Sequence, residues 1–365
     1  LKARMYSDSG LIYARKSGDN ELIGRAHQFK GWHYQDISKA PDANKEFYKS
    51  LAYLKKSGKK QAIADAYGNL GNSYLDMHEY QKSLSYQLLS LEENEKIIAK
   101  KPKGVALEYA DEGRTYALHN ISAIYQDIGL HEKALEYSHI SAKYEEKKGE
   151  SEGVAISYNS LATIHKSLNN TDSAIYYFDK ALKIYSKYDY PSGLAGTLRG
   201  YATLENANLS ESRKKIMLEQ ALEISRRSGD LDSETRTLLD IIEVQFDKLS
   251  SDSLSNLFKS VYSLIIDNHL DLLTENYFKQ YSKYNSKIGK FDSAYWALEN
   301  FIELKAISDE KKRTHELVAQ DIKYQWSTKH FNDSLTIENG FAIERAEHNE
   351  EIASIQNKVY LSVIG

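Results

Sequence analysis

His78-Glu79, His131-Glu132 and His315-Glu316 each set an imidazole beside a carboxylate, the residue types from which zinc sites and general-base centres are built. None has the second histidine four positions after the first that would put two ligands on one helical face. Gly289-Lys290-Phe291 lacks the upstream glycine and the Ser or Thr of a phosphate-binding loop, and neither G-x-G-x-x-G nor G-x-S-x-G occurs. With 52 acidic residues, carboxylates at helical spacing are inevitable, and intrahelical ion pairs account for them. The absence of cysteine removes thiolate metal sites, thiol nucleophiles and disulfides together. No catalysis, metal or other cofactor is therefore expected within this chain. Arg199 and Arg236 offer a different chemistry, charge-assisted hydrogen bonds to an anionic group, although as ordinary solvated charges they need no ligand.

Composition describes the scaffold that would carry such groups. The 365 residues are 27% charged and 41% hydrophobic, with 19 glycines and only 3 prolines, which favours helices and leaves strands few places to start. A net charge of -4 with both signs interspersed gives no case for direct nucleic-acid contact. Lys100-Lys101-Pro102-Lys103 and Arg213-Lys214-Lys215 read as solvated loops and faces. The 28 tyrosines sit largely at recurring helical positions such as Tyr34, Tyr74 and Tyr125, where core packing explains them.

The stretch from Ala155 to Ile184 reads as two antiparallel amphipathic helices joined by Asn169-Asn170-Thr171-Asp172, and the chain repeats it. Equivalent positions fall at Lys30, Leu70, Ile121, Leu161, Tyr201, Ile241 and Tyr281, with steps of 40, 51, 40, 40, 40 and 40. A fixed period of this length is the signature of a solenoid, in which each pair buries its apolar face only against its neighbours. The one irregular step adds 11 residues, close to three helical turns, so the helices flanking Pro102-Lys103-Gly104 should be longer while the buried face keeps its register. Such an extension is either a contact site for a partner or simply tolerated. Ser57-Gly58, Lys148-Gly149 and Ser228-Gly229 recur after second helices, where glycine in the left-handed conformation ends a helix.

Tyr158, Leu161, Ala162, His165, Ala174, Phe178 and Ala181 fill the signature positions of the tetratricopeptide repeat (TPR), which the unit resembles. The copy from Ala64 to Leu91 supplies Tyr67, Leu70, Gly71, Tyr74, Ser83 and Ser90, with Gln87 as a polar departure. The resemblance implies an all-α, right-handed α-solenoid of about seven TPR-like hairpins followed by a long C-terminal helix. It also implies that the first helix of each pair lines an inner groove for a peptide or protein segment, through positions 2, 5, 9 and 12. Those positions supply Arg25, Gln28, Trp32, Gln35, Asp65, Asn72, Tyr116, His119, Asn159, Thr163, Arg199 and Arg236. Trp32 is either an anchor on that face, since the repeat does not require an aromatic there, or a residue packed under a neighbouring loop. The chaperone-tail clamp of the family is not expected, because Gly68 stands where its lysine belongs.

Repeats are expected over residues 1–307, starting in an incomplete unit because the chain opens at Leu1. Residues 308–365 are expected to form a long capping helix with an imperfect heptad through Leu317, Tyr324 and Phe331 and on to Ile352, Ile355 and Val359, suited to homodimerisation through a coiled coil. The closing aliphatic run, Val359 to Gly365, is far shorter than a membrane span and reads as the start of one. This order resembles bacterial membrane-anchored TPR sensors, whose repeats are periplasmic and whose output is a two-component histidine kinase or a helix-turn-helix transcriptional regulator. The function implied is a non-catalytic sensory domain that binds a peptide or protein. The alternative is a constitutive interaction scaffold without signalling output, and a cytoplasmic location.

Overall fold

The computed structural model describes residues 2–310 apart from 37–38, 189, 206–208, 269 and 271–272, together with residues 314, 317, 318 and 320. The expected coiled-coil line from Tyr324 to Val359, and the aliphatic run after it, lie outside the described residues. Helices follow one another as α1 (Lys2–Ser17), α2 (Asn20–Asp36), α3 (Ala40–Ser57), α4 (Lys60–Asp76), α5 (Tyr80–Ala99), α6 (Val105–Asp127) and α7 (His131–Glu146). They continue as α8 (Glu152–Ser167), α9 (Thr171–Tyr185), α10 (Pro191–Ala202), α11 (Glu211–Ser228), α12 (Leu231–Gln245), α13 (Ser251–Asp267) and α14 (Thr274–Lys287). A last helix, α15, covers 291–310, and no strand occurs among the described residues.

Helix boundaries follow local chemistry. Ser151, Ser210, Asp230 and Ser250 each accept a hydrogen bond from the backbone N–H three residues on, satisfying one of the free donors at the start of α8, α11, α12 and α13. Pro41 and Pro191 occupy first turns, where a missing N–H costs nothing. Gly58 and Gly229 end their helices with φ of 70°, and Gly149 lies at 100°, as the sequence led one to expect. Inside the hairpins the same left-handed turn falls to Gly129 and Gly289 in two repeats but to Asn169 and His78 in two others.

Helices pack substantially only on the next helix and the next but one, which is the connectivity of an α-solenoid. The even-numbered helices form one layer and the odd-numbered helices the other. Apolar clusters succeed one another along the chain. One gathers Phe47, Leu54, Leu70 and Tyr74 from α3 and α4; another joins Phe178, Leu198, Leu218 and Ile241 across α9 to α12; a third holds Leu239, Phe258 and Tyr277 from α12 to α14. Leu222 and Leu257 touch both of the last two clusters and join them.

Small residues set how closely the layers approach. Ala162, Ala174 and Ala181 are fully buried. A Cβ at Gly71 would stand 2.6 Å from Gln87 Nε2, and Gln87 is itself fully buried. That polar departure from the repeat pattern has a structural reason. Gln87 Nε2 donates to the Gly68 carbonyl at 3.3 Å and to Asn72 Oδ1 at 2.7 Å, so α5 holds the backbone and a side chain of α4 at once.

The 11-residue insertion lengthens both flanking helices, α5 to 20 residues and α6 to 23. Ala110, Ala117 and Ile121 remain fully buried in α6, so the register survives. Its first turns leave Val105 and Tyr109 exposed. Gly71→Val should lower stability by about 1–3 kcal/mol through overpacking against Gln87, read as a lower urea midpoint at unchanged m-value.

Candidate ligand groove

The even-numbered helices carry the predicted groove residues, and seven of those twelve side chains bond to a neighbouring even-numbered helix. Trp32 Nε1 on α2 donates to Asn69 Oδ1 on α4 at 3.1 Å, and Gln35 donates to Asp76 at 2.8 Å. Asn72 on α4 donates to Tyr116 Oη on α6 at 2.7 Å, while its own Oδ1 accepts from Asn120 at 2.8 Å as well as from Gln87. His119 Nε2 lies 3.2 Å from Ser157 Oγ on α8. Thr197 on α10 donates to Asn159 Oδ1 on α8 at 3.0 Å, and Arg199 Nε donates to Asp240 on α12 at 2.6 Å. Lys166 Nζ, near the end of α8, donates to Thr203 Oγ1 at 2.6 Å and to the Gly200 carbonyl at 3.2 Å. Lys287 on α14 closes the series on the Phe246 carbonyl at 3.1 Å. Polar rungs thus link α2 to α4, and so on up to α14.

The remaining predicted residues are placed otherwise. Gln28 is buried in the core and does not line the face. Arg25 and Arg236 pair along their own helices with Glu21 at 3.0 Å and Asp232 at 2.7 Å, as ordinary surface charges do. Asp65 accepts from Gln61 at 3.1 Å, and burial raises its pKa. Thr163 donates to the Asn159 carbonyl one turn back. It also helps line a cavity of about 410 Å³ with Lys166, Ser167, Thr203 and Glu205. Sequence reasoning missed Asn69, Lys166 and Asp240. Arg199 and Asp240 were within reach, because opposite charges 41 residues apart are one repeat apart.

Burial governs the electrostatics of this layer. Desolvation lowers the pKa of His119 to about 4, against a small opposing pull from Glu145. It also lowers Lys166 and raises Asp240, the latter opposed by Arg199. Among the described residues, no group of three or more His, Cys, Asp or Glu side chains is placed to hold a metal ion.

What stays open on this face is aromatic. Phe29 is 59% exposed, Trp32 40% and Tyr116 55%. Phe29 and Trp32 meet edge to face with centroids 5.2 Å apart. Asn69 and Asn72, one turn apart on α4, bridge from Trp32 to Tyr116. The result is a short aromatic row over the α4 amides, of which Asn72 is also bonded to Gln87 and Asn120.

Residues 114–187 match the family model described as tetratricopeptide repeat. The matched residues carry tetratricopeptide repeats, and helical hairpins continue on either side of them as an α-solenoid. No curated protein matches its sequence. Among solved structures it is similar to the apo form of RapI, at 16% identity over 79% of this chain and 99% of that one, with a TM-score of 0.60. It is also similar to the Rap conjugation gene regulator of the plasmid pLS20 in complex with a Phr peptide, at 15% identity over 83% and 78% of the two chains and a TM-score of 0.61. Aspartyl phosphate phosphatase F from Bacillus subtilis gives 14% identity, 81% and 75% coverage and a TM-score of 0.61. At these identities the likeness is one of fold.

Two outcomes follow from the rungs. Asn72→Ala should cost about 2 kcal/mol in urea unfolding, because it leaves Gln87 and Asn120 donors without their acceptor; an unchanged midpoint would show that the amide is free for a ligand. His119 is neutral when folded at pH 7 and regains an ordinary pKa of 6.5 when unfolded. The unfolded chain therefore takes up a proton that the folded chain refuses as the pH falls from about 6.5 toward 4, and stability drops by on the order of 2–3 kcal/mol across that window. His27 and His165, also lowered by burial, act in the same direction. Urea titrations at pH 7 and pH 5 should show a shallower loss for His119→Gln than for the wild type.

Proposed function

We propose that the chain is a non-catalytic peptide-binding domain whose first three even-numbered helices receive an apolar-bearing segment of a partner. The observation that carries this reading is the exposed row of Phe29, Trp32 and Tyr116, of which Trp32 and Tyr116 are hydrogen-bonded to the amides of α4. Rings held by hydrogen bonds from below lose little freedom on binding, and aromatic anchors of this kind dominate peptide and protein interfaces. The similarity to a Rap regulator solved with a peptide supports the same class of ligand. Arg25 and Arg236 fall outside the proposed site, and the polar residues from Asn72 to Arg199 shape it through the rungs.

On this reading the domain serves as the sensing part of a bacterial signalling regulator, either a two-component kinase or a transcriptional regulator. Occupancy of the face would alter the spacing of the even-numbered helices that the rungs hold together. The membrane-anchored, periplasmic placement and dimerisation through residues 308–365 draw their support from the sequence resemblance. No helix among the described residues is long and apolar enough to cross a membrane. A constitutive scaffold would use the same face without any such coupling.

The reading is tested by screening the protein against an arrayed library of random peptides and titrating the tightest binders by calorimetry. Trp32→Ala combined with Tyr116→Ala should weaken them by about tenfold or more, while Arg236→Ala leaves them unchanged. Binders indifferent to the aromatic pair would move the site elsewhere.

A further inference from the structure

The odd-numbered layer carries a second, separate feature. Between α9 and α11, with α10 beneath, lies an open trough of about 620 Å³. Its floor is the edge of the apolar core. Leu182 from α9, Leu194 and Leu198 from α10 and Ile224 from α11 belong to the cluster around Phe178 and Leu218, yet they line the trough. Seven residues separate Asp179 from Ser186 on one wall and fourteen separate Arg213 from Arg227 on the other, so the α11 wall runs about 21 Å.

The walls are not electrostatically balanced. Lys183, Arg213 and Arg227 line the trough, and none has a carboxylate within ion-pair distance among the described residues. Arg213 instead rests over the Tyr201 ring at 5.8 Å from its centroid. Of the two carboxylates present, Asp179 faces Tyr201, whose hydroxyl pKa is raised by desolvation on burial and then by Asp179. Glu223 is one turn from Arg227 on α11 without pairing to it. Elsewhere on this chain such neighbours do pair, as Arg25 with Glu21 and Arg236 with Asp232. Cations left without partners around a leucine floor are complementary to a ligand that is acidic on its flanks and apolar beneath.

We propose that this trough is a docking surface for an acidic amphipathic helix of about four turns on a partner protein. The length comes from the α11 wall. The apolar stripe would lie on Leu194, Leu198 and Ile224, and carboxylates would reach Lys183, Arg213 and Arg227. The surface lies on the odd-numbered layer and is independent of the aromatic row on the even-numbered helices.

The probe is a fluorescein-labelled 14-residue helix of leucine and glutamate at i, i+3 and i+4 spacing, with a twin bearing lysine in place of glutamate. Fluorescence anisotropy should show the acidic peptide binding at least about tenfold more tightly than its basic twin. R213E combined with R227E should reverse that order, and the milder R213Q with R227Q should weaken the acidic peptide while leaving the thermal unfolding midpoint in place. W32A combined with Y116A should change neither peptide's affinity, which separates this result from the fate of the aromatic row. Equal binding of the two peptides, or indifference to both pairs of arginine substitutions, overturns the proposal. Displacement of the acidic peptide by inorganic phosphate at comparable concentration overturns it in favour of a small-anion site. Light scattering that shows a dimer of the wild type and a monomer of the R213E/R227E protein overturns it in favour of a second copy of this chain.

Discussion

A helical hairpin of forty residues cannot bury its own apolar surface, and everything else in this molecule depends on that insufficiency. Each pair leaves one side of its hydrophobic stripe bare until the next pair covers it. Small residues decide how well the cover fits. Ala162, Ala174 and Ala181 are fully buried between the helices, and the rings of Phe178 and Tyr201 stack with centroids 5.5 Å apart. The solenoid is what remains when that local demand is met over and over along one chain.

A second demand arises from the first. Bringing successive helices together also brings together their polar side chains, which must find partners or lose the hydrogen bonds that water gave them. The even-numbered layer answers with side chains that bond across repeats. Asn72 takes part in two such bonds, and Gln87 ties it to the helix behind. This layer is therefore rigid in its polar part and available in its aromatic part. A binding face built in this way presents shape and ring surface before it presents hydrogen bonds.

Much of the architecture was legible in the sequence because it is periodic. The forty-residue step, the glycines that end helices and the small positions in the motif all repeat, and repetition needs no knowledge of the partner in space. The lengthened α5 and α6 followed from one aberrant step. What periodicity does not reveal is which of two polar side chains on one face will reach the other. Positions 2, 5, 9 and 12 pick out Trp32, Asn72 and Tyr116 on the even-numbered helices, but a rule of position alone makes no distinction between a residue facing a ligand and one facing its neighbour. Gln28 shows the limit at its plainest, since the same rule sent into the groove a side chain that the core encloses. Lys166 and Asp240 went unremarked because each becomes meaningful only beside a residue from the adjoining repeat.

The rungs also bind the molecule along one margin more firmly than along the other. At α9 to α12 the even-numbered helices are held by Lys166 and by the contact of Arg199 with Asp240, whereas no hydrogen bond among the described residues joins α9 to α11 across the trough. Like a book sewn at its spine, this part of the chain can fan its outer edge while the sewn edge holds. The expected soft direction of bending is therefore the one that widens the gap between α9 and α11, about an axis along the stitched helices.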